Sequence, residues 1–129
     1  MANINQLEMG EFISKHPHIT VKKSLFGLSS KVVYEPTQSK VDVLRRDYDQ
    51  AHGEQLRQLL AKPVVELEKE GQGSVPQSNI GSVRLEGCLS QDHQFVALQL
   101  LTYSDFMYKP MTDVLVYEGK DADVVARIL

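Results

Sequence analysis

Leu56, Leu59, Leu60, Val64 and Leu67 recur at the spacing of one helical face, while the chain on either side alternates at the spacing of a strand. That switch of period constrains the fold most. A strand set, an amphipathic helix and a second strand set, joined by short turns, cannot form a helical bundle or a parallel βαβ array. Residues 2–15 carry Ile4, Leu7, Met9, Phe12 and Ile13 on a weaker helical stripe that Pro17 ends. Strands are expected over 19–26, 31–35 and 40–48, with "GLSS" and "PTQS" as turns. Asp47 or Asp49 is placed to cap the central helix. Pro63 should kink or break that helix, and "PVVELEKE" after it is either the rest of a kinked helix, the reading preferred, or a strand begun by its proline.

Beyond the Gly- and Ser-rich segment 71–81, "SVRLEGCLS" alternates Val83, Leu85 and Leu89 against Arg84, Glu86 and Cys88, which predicts a strand. "QFVALQLLTY", residues 94–103, is apolar on both faces, as in a covered central strand. Residues 112–118 form a last strand. "GKDADVVARIL" predicts a closing helix capped by Asp121, with Val124, Val125 and Ile128 inward. The expected fold is therefore a single α+β domain over residues 1–129: an antiparallel sheet of about five or six strands with helices packed against it, in the order α-βββ-α-βββ-α.

The stretch "TYSDFMYKPMTD" stands apart. The chain has five Tyr, four Phe and four Met, and Tyr103, Phe106, Met107, Tyr108 and Met111 fall together among the turn formers Ser104, Asp105, Pro110 and Asp113. Large apolar side chains in a turning segment must be hidden, either by folding back over the core or under a partner. Tyr, Phe and Met are enriched at interfaces. These five residues are the expected partner-binding set.

The chemistry-bearing residues form no complete constellation. His16-Pro17-His18 could place two imidazoles on one metal ion if it were extended, yet no third ligand lies at a recognised spacing. His16 and His18 are weak metal candidates, and no metal or other cofactor is expected. Cys88 sits in a strand beside Gly87, where a buried thiol is the simpler reading than a nucleophile. Glu66, Glu68 and Glu70 suit a solvated helix face. No serine elbow, phosphate loop or dinucleotide fingerprint is present.

Composition narrows the class further. In 129 residues the net charge is −3, and the basic doublets are Lys22-Lys23 and Arg45-Arg46, which argues against a nucleic-acid partner. No apolar run is long enough for a membrane helix, the start lacks the pattern of a signal peptide, and a lone cysteine implies no internal disulfide. A cytoplasmic location is expected. The order of elements looks like that of the small acidic secretion chaperones, dimeric α+β proteins that hold a partner chain along their surface. That resemblance of architecture implies a homodimer that binds another protein. The first functional expectation is thus a small non-catalytic interaction domain, adaptor or chaperone-like. The alternative is a small enzyme or ligand-binding domain with a pocket between the sheet and the central helix, metal-assisted through His16 and His18.

Overall fold

A computed structural model describes residues 11–23 and 30–129. The described part of the first helix, α1, covers residues 11–15. Then follow β1 (Ile19–Lys23), β2 (Ser30–Tyr34), β3 (Ser39–Tyr48), α2 (Gln50–Leu60), α3 (Val64–Glu70), β4 (Val83–Ser90), β5 (Phe95–Ser104), β6 (Met107–Pro110), β7 (Leu115–Glu118) and α4 (Lys120–Ile128). The α+β class and the antiparallel sheet are as the sequence predicts. The sheet has seven strands in the order β1-β2-β3-β4-β5-β6, with β7 also on β5. The far edge of β5 is shared: Phe95–Leu98 pairs with β7 and Leu101–Ser104 with β6.

The break at Pro63 is one of the two outcomes expected there, and the cap of the closing helix needs correction. Pro63 does break the helix: it adopts extended backbone, φ −60° and ψ 151°, and caps a separate α3. A proline has no N–H for the preceding turn, and its ring blocks continuation of α2. The closing helix is capped by Gly119 at φ +64°, a conformation glycine enters at little cost, and Asp121 lies within the first turn. Cys88 is buried as expected, and Glu86 on the same face of β4 is buried with it. Ile4, Leu7, Met9 and Leu25 lie outside the described residues.

Each face of the sheet has its own core. On one, Leu56, Leu59 and Leu60 of α2, Leu67 of α3 and Val125 and Ile128 of α4 pack on Val83, Leu85, Val96, Leu98 and Leu100. On the other, Ile13, Ile19 and Tyr34 cover Val41, Cys88, Phe95 and Ala97. The second cover exists because the β1–β2 ribbon bends. β2 and β3 share only the pairs Val33↔Lys40 and Tyr34↔Ser39, so the ribbon is free to fold over. Tyr34 then stacks on Phe95 with ring centroids 5.3 Å apart, and its hydroxyl donates to Glu118 at the opposite edge, 3.3 Å.

Candidate interaction surface

The segment expected to be a loop between two strands is instead a tight β-hairpin. Tyr103 pairs with Tyr108 and Ser104 with Met107, leaving Asp105 and Phe106 as the turn. Their φ angles are +53° and +64°. Two consecutive residues at positive φ define the turn whose twist matches an antiparallel ribbon, and its favoured sequence is Asn-Gly. A bulky side chain there is a true outlier that costs on the order of 1–3 kcal/mol. Folding alone gives no reason for phenylalanine at this position.

Strand alternation divides the five expected partner-binding residues. Tyr103 and Tyr108 lie on one face, in edge-to-face contact at 5.0 Å, and the Arg84 guanidinium sits 4.3 Å above the Tyr108 ring. Arg84 is held in turn by Asp47, Nε to Oδ1 2.7 Å. That bond, the largest influence on Arg84, raises its pKa further and fixes the cation in place. Met107 lies on the opposite face, with Ser104. Met111 does not join the surface, because it packs against the helix-covered core. What remains outward is a tip. Phe106 is 94% exposed, with Tyr103 at 46% and Met107 at 41% beside it.

The sequence reading missed one member of this end of the sheet. Ile80 is 95% exposed, and it lies two residues before Ser82, whose carbonyl accepts from the Tyr103 N–H at 2.8 Å. The segment that carries it is fixed rather than incidental. The Asn79 N–H donates to the Asp47 carbonyl at 2.9 Å, its side-chain amide bonds Asp49, and Gly81 passes so near the Tyr48 carbonyl that a Cβ would collide. A single isoleucine in "PQSNIGS" has no periodicity that could have flagged it.

The other candidates stand elsewhere. His16 and His18 precede β1 in a turn, not on a strand, with ring centroids 5.8 Å apart. The His16 Nδ1 accepts from the His18 N–H at 3.2 Å, its Nε2 lies 3.4 Å from Glu118, and its ring packs on Phe95. Both ring nitrogens of His16 thus have partners within the fold. Among the described residues no three His, Cys, Asp or Glu side chains converge as a metal site would require. The Cys88 thiol is buried in the second core, and burial pushes its pKa up to about 12, so it stays protonated. Glu66, Glu68 and Glu70 are exposed, and Glu70 pairs with Lys62. Between α2 and the strand edge lies a small apolar pocket of about 160 Å³, lined by Arg57, Leu60, Ala61, Thr112 and Leu115. Among the described residues no helix is long and apolar enough to cross a membrane.

Comparison with protein-family models, with curated proteins and with solved structures finds no match to this chain. The resemblance to the secretion chaperones therefore rests on the order of elements alone.

Proposed function

We propose that this chain is a non-catalytic protein-interaction domain, adaptor or chaperone-like, that works as a homodimer and meets its partner through the tip of the β5–β6 hairpin. The observation that carries the reading is Phe106, an aromatic ring almost wholly in solvent on a turn where phenylalanine is strained. Strain kept at a position that contributes nothing to the core is explained if the ring is used against another surface. Tyr103, Met107 and Ile80 at the same end supply further apolar area, and the paired Arg84 and Asp47 supply a polar rim. A protein partner suits this tip better than a nucleic acid does, since the chain carries a net charge of −3. A cytoplasmic setting fits a lone, buried thiol.

The test is light-scattering chromatography at tens of micromolar. The wild type should elute as a dimer, and Phe106→Asp as a folded monomer, because a charge in an apolar contact is costly to desolvate. A monomeric wild type together with an unfolded Phe106→Asp variant would return the hairpin to the core and sink this reading.

A further inference from the structure

We propose that the apolar pocket at the C-terminal end of α2 is the socket for Phe106 of a second copy of this chain. The inference rests on the reading of the hairpin as an interaction surface, and it names what that surface grips. The pocket measures about 160 Å³ and is lined by Leu60, Ala61, Leu115, Thr112 and Arg57. A dry cavity of roughly 150 Å³ accommodates benzene, so the space matches one phenyl ring. A larger cavity between α3 and α4, about 270 Å³, is lined by Glu68, Lys120, Asp123 and Arg127 as well as Val124 and Ile128, and a phenyl ring seated there would have to desolvate those charges.

Phe106 cannot fill its own socket. Thr112 lies six residues further along the same edge, roughly 20 Å at the rise of a strand. Knob and socket thus sit at the two ends of one hairpin. A two-fold axis across the middle of β6 lays each tip over the other chain's socket, and both contacts form at once, as a closed isologous dimer requires.

Charge agrees with this seating. Asp105, next to Phe106, is exposed and carries only a surface bond to Lys109. Arg57, on the socket rim, is tied to Glu54 and likewise exposed. Docking brings the Asp105 carboxylate of one copy to the Arg57 guanidinium of the other. The edge of β6 itself does not invite strand addition. The Met111 N–H donates to the Leu100 carbonyl, so Pro110, one position earlier, faces its donor-less nitrogen outward, with Lys109 beside it. Side-chain docking is what the edge leaves open.

The experiment replaces Phe106 with the photo-reactive p-benzoylphenylalanine in the full chain. Irradiation should give a cross-linked dimer whose joined peptides carry residues 57–61 or 112–115 of the second copy. In parallel, Ala61→Glu at the exposed end of α2 should keep its circular dichroism and lose dimer affinity by roughly a hundredfold. Ala61→Trp, which fills the pocket with apolar bulk, should do the same. A dimer that tolerates both variants, or that cross-links elsewhere, overturns the socket. If Phe106→Asp still dissolves that dimer, the interaction reading survives the loss of the socket. A wild type that stays monomeric at hundreds of micromolar also overturns the socket, whereas the interaction reading falls only if Phe106→Asp unfolds.

Discussion

β5 runs between two tight turns, and each has a phenylalanine at, or within two residues of, a position with positive φ. At the β4–β5 turn, His93 has φ +61° and Phe95 follows it, fully buried. At the β5–β6 turn, Phe106 itself has φ +64° and stands in solvent. The first turn is closed by its own polar groups. The Ser90 hydroxyl accepts from the Gln94 and Phe95 N–H groups at 3.0 and 2.9 Å and donates to Asp92 at 2.7 Å, and the Asp92 N–H donates to the Ser39 hydroxyl. The second turn has one exposed ion pair, Asp105 with Lys109. One phenylalanine anchors the fold, whereas the other occupies a strained position and anchors nothing among the described residues. The difference teaches that turn geometry alone does not set the use of a side chain. What sets it is which way the chain leaves the turn and what covers that direction.

The comparison breaks most readily at Phe95. Phe95→Ala removes a ring packed between Tyr34 and His16, and chemical-denaturant melts should show a loss of about 3–5 kcal/mol. If the loss is below about 1 kcal/mol, Phe95 does not anchor the second core. Ser90→Ala comes next. It strips the buried Phe95 N–H of its acceptor, while the Gln94 N–H keeps the Asp92 carboxylate, and should cost about 1–3 kcal/mol by the same measurement. At the other turn the sign reverses. Replacing Asp105-Phe106 with Asn-Gly relieves both strained φ angles and should raise stability by about 1 kcal/mol while association is lost. A destabilised Asn-Gly variant would mean that Phe106 serves this fold after all.

The smallest effect concerns acid stability at the same end of the sheet. Asp49 caps α2 by accepting from the His52 backbone N–H, and this bond, followed by the His52 ring, holds its pKa down to about 2. A folded-state value below the ordinary one means that the folded chain resists protonation at this carboxylate. The stabilisation is complete above about pH 4 and is lost as pH falls through about 2. Asp49→Asn retains a capping oxygen, so acid titration of its unfolding midpoint should be shallower than the wild type's over that window. Because Asp49 is exposed, solvent screening keeps the change small. Identical acid profiles for the two proteins would remove Asp49 from the account.

Local periodicity made most of the architecture legible. The leucine stripe of α2, the doubly apolar β5 and the α+β order all follow from spacings of two and 3.6 residues within one segment, while Pro63 announced a kink or a break without deciding between them. The candidate site was legible only in part. "TYSDFMYKPMTD" marked the right place, but it lacks Asn-Gly, the usual sign of its turn, so the hairpin and the strand β6 were hidden. Ile80 had no pattern to announce it. Other features depend on residues far apart in sequence: the burial of Glu86, the reach of Tyr34 to Glu118, and the meeting of Leu60 with Leu115 around one pocket. By itself the sequence determined most of the helices and strands and which of their faces are apolar, because those properties repeat within a few residues. Only the tertiary structure decided which apolar faces are covered, leaving Phe95 inside and Phe106 outside, because coverage depends on where the rest of the chain runs.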